Sequence, residues 1–514
     1  MDRFKANIKK NDISTFLSVI ITGLIAHGYI FTHNIILHDN TYNFYLGATY
    51  PFGRWMIEVV TRITNLINGQ YVHFSTPLYL GVLSLIYIAV AAVIIERLFD
   101  VKSPLFGVLI GAMMVSFPMV TSLMGFMFMS AINMFGMLLS IIGSAIIIKY
   151  RKWYAYIGGV IILACGAGIY QAYICTFICM FLIYFFFEVY KCQEENFLKW
   201  FFIRVLYYGG ACIAALVSYL AIMKFFLWHY HTELSDYQGM SSAASTTISQ
   251  YIDRIIKAYT EFFTPVKDTT RNMYQGGNYG LYRITILIVI FLGCFVIGKT
   301  FKKKEFKKAV CLLLLFLIIP LGVNFIYVMC DVNVHSVMMY AEVFFFIFAM
   351  LLMDTIRSDD EIGGKCQSIL YGFLAFVILS MVILNCRFSN TAYLRGEYIQ
   401  NAGIEYFNRM VTRIESVDGY DPNLFVAFVG DPVPDQNLFA YPEFGSYINV
   451  YPFSLPTVIY NYNWHTFMKA TVGYNPPTVD LDYLKDSSAV DSMPCYPSDG
   501  SVRIIEDVVV VKFQ

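Results

Sequence analysis

From Thr15 to Leu384 the chain is divided into apolar stretches of about 20 residues, the length an α-helix needs to cross the hydrocarbon layer of a bilayer. They run Thr15–Phe31, Thr76–Ile95, Pro104–Val120, Phe126–Ile148, Trp153–Tyr190, Trp200–Trp228, Leu281–Ile297, Ala309–Met329, Val337–Met353 and Gln367–Leu384. Trp153–Tyr190 is too long for one span, and Gly166-Ala167-Gly168 offers a break into two helices with a tight turn. About eleven spans are therefore expected, a polytopic α-helical membrane protein.

Composition agrees. The chain is 58% hydrophobic and 14% charged, whereas soluble domains carry about 25% charged residues. Formal net charge is zero, so whole-chain charge points to no nucleic-acid partner. The cysteines form no C-x-x-C pair and lie mostly in apolar runs, where cysteine behaves as a small apolar residue. No cleavable leader is read at the start; the first apolar run reads as a span.

Basic residues in short loops set orientation, because cytoplasmic loops retain Lys and Arg. With an inner N-terminus, the inner segments hold Lys9 and Lys10, Arg97 and Lys102, Lys149 to Lys152, Lys191 to Arg204, Lys299 to Lys308, and Arg357 and Lys365. The outer loops hold few. An odd number of spans then puts the C-terminal segment outside. Three outer segments are large enough for chemistry: Asn34 to Ser75, His229 to Gly280, and Cys386 to Gln514. The expected organisation is a transmembrane catalytic domain over 1–385, with outer loops 34–75 and 229–280, and an extracytoplasmic α/β domain over 386–514.

In the first outer loop, Met56, Val59, Val60, Ile63, Leu66 and Ile67 recur at helical spacing, the pattern of a helix lying in the membrane surface. Gly53-Arg54-Trp55 precedes it and His38-Asp39-Asn40 follows the first span. A carboxylate at Asp39 can accept a proton from an attacking hydroxyl, and Arg54 can hold a lipid phosphate through paired charge-assisted hydrogen bonds. Loop solvation by Asp39 and snorkelling by Arg54 fit the same spacing.

Here the sequence resembles the glucosyltransferase GtrII-like family of bacterial membrane proteins. The family pattern in this loop is an acidic pair followed by a Gly-Arg-Trp element. Asp39 matches the first acid; Asn40 stands at the second, a departure that weakens a two-carboxylate or metal role. Gly168-Ile169-Tyr170-Gln171 resembles the family's Tyr-Gln at an outer turn, and the tail Met493-Pro494-Cys495-Tyr496-Pro497-Ser498-Asp499-Gly500-Ser501, followed by Val508 to Lys512, resembles the family's end. The resemblance implies a GT-C-like architecture that moves a sugar, glucose by the family's name, from a polyprenyl-phosphate carrier to a cell-surface glycan on the outer face. It implies Asp39 as the base.

Other residues fit around that reading. Lys267 and Arg271 in the second outer loop are further candidates for the donor phosphate, with Gly276-Gly277 as hinges. His38, Asn40, Tyr170, Gln171, Glu342 and His335 are candidates for substrate binding; polar groups at span depth are costly and often functional. Asp331, Asn333 and His335 alternate in a short loop that suits acceptor hydroxyls or a divalent cation, and the sequence fixes no cofactor. Solvation and structural pairing are the plain alternatives for each. Past the spans, Asn390–Val417 reads as a helix continuing from the last span. Leu424–Val429, Val502–Ile505 and Val508–Phe513 read as strands, with Glu506-Asp507 as a turn. Tyr441, Tyr447, Tyr451, Tyr460, Tyr462 and Trp464 offer aromatic faces to sugars or to a core. The leading expectation is a membrane glycosyltransferase; a multi-span transporter or flippase for lipid-linked precursors is the rival.

Overall fold

The computed structural model describes residues 9–42, 49–69, 75–235, 247–265, 277–330, 334–358, 364–432, 448, 450–455, 457–479 and 487–514. The chain forms two compact units. The first comprises Met1–His33, Phe44–Asn390 and Asn449–Tyr451, and the second Asn34–Asn43, Thr391–Ile448 and Pro452–Gln514.

The first unit is helical. Its elements are α1 (Lys10–Thr32), α2 (Trp55–Asn68), α3 (Pro77–Phe99), α4 (Pro104–Ser116), α5 (Pro118–Met124), α6 (Met127–Tyr150), α7 (Trp153–Ile169) and α8 (Tyr173–Lys191). They continue as α9 (Phe197–His229), α10 (Ile248–Phe263), α11 (Gly277–Lys302), α12 (Phe306–Val323), α13 (Ile326–Met329), α14 (Val343–Ser358) and α15 (Gly364–Glu415). Among the described residues, eight helices are long and apolar enough to cross a membrane, nine if the bent pair α4–α5 counts as one span.

Local chemistry sets the boundaries. Ser103 starts α4 by accepting the Phe106 N–H at 3.2 Å, a side-chain cap. The third apolar stretch bends by 43° between α4 and α5. Pro118 has no N–H and crowds the helical conformation of Phe117, which is extended at ψ 134°. The expected break at Gly166-Ala167-Gly168 lies instead at Tyr170, where α7 ends. The glycines of α7 serve packing. A Cβ on Gly143 of α6 would stand 2.9 Å from the Gly159 carbonyl oxygen, and one on Gly159 3.0 Å from that of Gly143, so the two helices meet backbone to backbone, as small residues permit in lipid. Arg97 at the end of α3 grips Asp12 at the start of α1 through two hydrogen bonds of 2.8 and 2.6 Å.

The second unit is built on the last part of α15, from Thr391. Strands β1 (Phe425–Val429), β2 (Val502–Ile505) and β3 (Val508–Lys512) form a sheet in the order β1-β3-β2. β1 runs parallel to β3, Phe425 facing Val508 and Val429 facing Lys512; β2 is antiparallel, Val502 facing Val511. Glu506 and Asp507 both take positive φ, 50° and 62°, the backbone of a two-residue turn whose twist matches the strands. Helices α16 (Trp464–Thr471) and α17 (Ser488–Asp491) lie between β1 and β2 in sequence. Ala427, Val490, Met493, Val508 and Val510 form one buried cluster. Trp464 forms another, edge-on to Phe428 at 5.0 Å, with its indole N–H donating to Asp431 Oδ1 at 3.0 Å.

Candidate active site

The described candidate residues fall in two clusters, one in each unit. In the first unit, Thr49 and Gly53 shape a tight turn ahead of α2: the Gly53 N–H donates to the Tyr50 carbonyl at 2.9 Å and Gly53 takes φ 71°, a conformation that favours glycine. This turn delivers Arg54, half-buried, with its guanidinium 5.1 Å from the centre of the Tyr170 ring. A cation over an aromatic face is held without consuming its N–H donors. The Arg54 Nε is buried and makes no hydrogen bond among the described residues, so the group retains capacity for an anion.

Gln171, beside Tyr170 in the α7–α8 turn, fastens this turn. Its Nε2 donates to the Phe52 carbonyl at 2.7 Å and to the Tyr219 hydroxyl at 3.1 Å. Trp55, buried, lies against Gly168, where a Cβ would come within 2.6 Å of the indole. Tyr219 escaped the sequence reading: one tyrosine among the three of the apolar α9 gives no local sign of a partner elsewhere. α2 exposes Ile63, Leu66 and Ile67, with Leu66 85% exposed.

In the second unit, Asn34 and Ile36 are pinned to α15. The Ile36 N–H donates to Gln400 Oε1 at 2.5 Å, and Gln400 Nε2 donates to the Asn34 carbonyl at 3.1 Å. His38 then takes φ 49° and opens a short 3-10 turn. Asp39 lies on it with its side chain 50% exposed and Oδ1 2.9 Å from His38 Nδ1. Asn40 turns inward, buried, and donates to the Ile35 carbonyl at 2.7 Å; its amide stabilises the turn. Asn463 Nδ2 donates to the His38 carbonyl at 3.2 Å. The His38 ring meets Tyr462 and Tyr460 edge-on at 5.6 and 5.9 Å. Burial pushes the Tyr460 phenol up to about 12, against the opposing pull of Arg395, so Tyr460 is neutral at physiological pH. Arg395, absent from the sequence reading, is buried on α15 and donates to the Leu455 carbonyl at 3.0 Å.

The remaining candidates divide. His335 stacks on Tyr451 at 4.9 Å, and Ser336 bridges the same strip by accepting the Tyr451 N–H at 3.0 Å. Glu342 is buried in a 3-10 turn before α14. Asn324 holds α10 by donating to the Ala258 carbonyl at 3.1 Å. Lys267, Arg271, Gly276, Asp331, Asn333, Tyr441 and Tyr447 lie outside the described residues. Among the described residues no group of three or more His, Cys, Asp or Glu side chains could hold a metal ion, and all eleven cysteines are free thiols.

The succession of long apolar helices makes the chain a polytopic membrane protein. The chain belongs to the GtrII glucosyl transferase family, whose model matches residues 28–353. That membership makes it a membrane glycosyltransferase by family, and the match includes Asp39, Arg54, Tyr170, Gln171, His335 and Glu342. No curated protein and no solved structure matches it.

Proposed function

We propose that the protein is a GT-C-like, inverting glucosyltransferase that takes its sugar from a polyprenyl-phosphate carrier and gives it to a surface glycan on the outer face of a bacterial plasma membrane. The observation that carries this reading is the Arg54 guanidinium, laid over Tyr170 with an N–H unpartnered among the described residues, inside the segment matched to a glucosyl transferase family. The family match also favours transfer over transport.

Counting the bent pair α4–α5, the shorter apolar helix α7 and, in our reading, α14 as spans beside the eight long helices would give the eleven read from the sequence. With the basic loops inside, Arg54 and Gln171 face the outer surface, as does the second unit. The exposed apolar residues of α2 suit the outer headgroup layer, where a carrier's phosphate lies.

In the proposed reaction Asp39 accepts the proton of the acceptor hydroxyl. The acceptor hydroxyl's oxygen bonds to the sugar C1 while the bond from C1 to the carrier's phosphate oxygen breaks, with inversion. The electron pair leaves on the phosphate, whose charge Arg54 stabilises, joined by Lys267 or Arg271. His38, Tyr460 and Tyr462 supply aromatic faces for an acceptor sugar near Asp39. A divalent cation is not needed for these steps.

The test is sugar transfer by the purified full chain supplied with polyprenyl-phosphate glucose and a surface-glycan acceptor. Asp39→Asn removes the base from a half-exposed position and is expected to lower transfer about 100-fold or more with unchanged melting. Transfer at the wild-type rate by that variant would end the assignment of Asp39 as base, and a wild-type chain inactive with every lipid-linked glucose would end the donor assignment.

A further inference from the structure

At the end of α8 remote from Gln171, and at the end of α9 remote from Tyr219, the first unit holds a cavity of about 510 Å³. α8 runs from Tyr173, just past Gln171, to Lys191 at this cavity, 19 residues, or about 28 Å of helix. That is close to the thickness of a bilayer's hydrocarbon core, so the cavity lies at the other membrane surface. In the orientation proposed above this is the cytoplasmic one.

Lys102, Arg151, Lys191 and Arg204 line the cavity. A second cavity of about 390 Å³ shares the Cys192–Glu194 loop with it and adds Lys304, Lys307 and Lys308. Across the two, seven cations meet five acids; Glu194 is exposed, and the other four are engaged. Glu188 is shared by both guanidiniums: it pairs with Arg151, lies 3.3 Å from Arg204 Nε, and its other oxygen accepts the Tyr208 hydroxyl at 2.8 Å. Asp354 accepts the backbone N–H groups of Lys102 and Ser103 at 2.7 and 2.9 Å, at the start of α4. Asp100 pairs with Lys102, and Glu305 with Lys308. Lys191, Lys304 and Lys307 have no ion pair among the described residues.

Apolar walls complete the cavity: Phe99, Phe187 and Trp200 line it beneath the cations. On the Trp200 side of α9, one and two turns further from the cavity, stand Ile203, exposed, and Tyr207, half-buried. A phosphate among the cations would thus have an apolar track for acyl chains beside it. Basic pockets between spans at a membrane surface are suited to anionic lipid headgroups.

We propose that this cavity binds the headgroup of an anionic glycerophospholipid, with its chains along α9, as a site separate from Arg54 and Asp39. A free phosphate would satisfy the same cations, and the two sources are separable. The purified full chain, stripped of lipid, is presented with phosphatidylglycerol or phosphatidylcholine, and bound lipid is read by native mass spectrometry. Phosphatidylglycerol is expected to be retained several-fold better, with excess inorganic phosphate failing to displace it. Lys191→Gln combined with Lys307→Gln, both exposed and without ion pairs among the described residues, should lower retention about fivefold per cation removed. Arg204→Gln should lower it further. Equal retention of the two lipids, retention unchanged in the Lys191/Lys307 variant, or displacement by inorganic phosphate would each overturn the proposal.

Discussion

The guanidinium of Arg54 lies 5.1 Å from the centre of the Tyr170 ring, joining the turn before α2 to the turn between α7 and α8. The ring fixes the position of the charge, and the buried Nε makes no hydrogen bond among the described residues. Lysine cannot reproduce this, since its ammonium is a point charge without a planar fork. Arg54→Lys is expected to bind donor more weakly, and Arg54→Gln to lower kcat/KM for a polyprenyl-phosphate sugar about 100-fold, the scale of losing one charge-stabilising donor. Initial-rate kinetics at varied donor concentration, with acceptor saturating, measure both. Wild-type kcat/KM in Arg54→Gln would remove Arg54 from the donor site.

Gln171 acts on that same turn as a positioning residue, through the Phe52 carbonyl and the Tyr219 hydroxyl. Tyr219→Phe removes one partner and leaves the other, so it should raise KM for donor a few-fold with kcat nearly unchanged. Gln171→Ala releases both and should do more. If their effect passes through Arg54, either change combined with Arg54→Gln will add little to Arg54→Gln alone, because residues acting as a unit are non-additive. Full additivity in that cycle would show that Gln171 acts independently of Arg54.

Gly168 leaves room for Trp55. A Cβ there would fall 2.6 Å from the indole, inside any permitted contact, so the ring must move and with it the first turn of α2. Gly168→Ala is expected to cost about 1–3 kcal/mol and to lower activity, whereas Gly158→Ala, which meets nothing within 4 Å, should do neither. Thermal melting in detergent together with transfer assays of both variants separates packing from chemistry.

These relationships differ in how far sequence exposes them. The long apolar runs are legible because lipid demands about 20 residues of one character, and the strands because Val508 to Val511 and Val502, Ile504 and Ile505 are β-branched residues on either side of a two-residue turn. Pro118 signals its bend locally. Glycine is ambiguous: Gly166 and Gly168 have the composition of a turn but lie inside α7, and only a neighbouring helix reveals why. The same holds for Tyr219 and Arg395, whose partners are far away in sequence, and for the order β1-β3-β2, since strand sequence does not encode which neighbour a strand takes. His38 and Asp39 were legible as polar residues after the first span, but their fastening to Gln400 and Asn463 was not.

The second unit offers a test that does not depend on catalysis. Trp464 is buried against Phe407, Phe428 and Phe513, and its N–H is satisfied by Asp431 alone among the described hydrogen bonds. Trp464→Ala removes a large side chain from a packed cluster and should cost about 3–5 kcal/mol. Asp431→Ala keeps the packing but strands a buried donor, which should cost about 1–3 kcal/mol; Asp431→Asn retains an acceptor and should cost less. Because α16 carries both Trp464 and the residues next to Asn463, which holds the His38 carbonyl, loosening Trp464 should also disorder the turn bearing Asp39. Hydrogen exchange at residues 36–40 is then expected to rise in Trp464→Ala and to stay near wild type in Asp431→Asn. Unchanged exchange in Trp464→Ala would show that the Asp39 turn is stabilised by α15 alone.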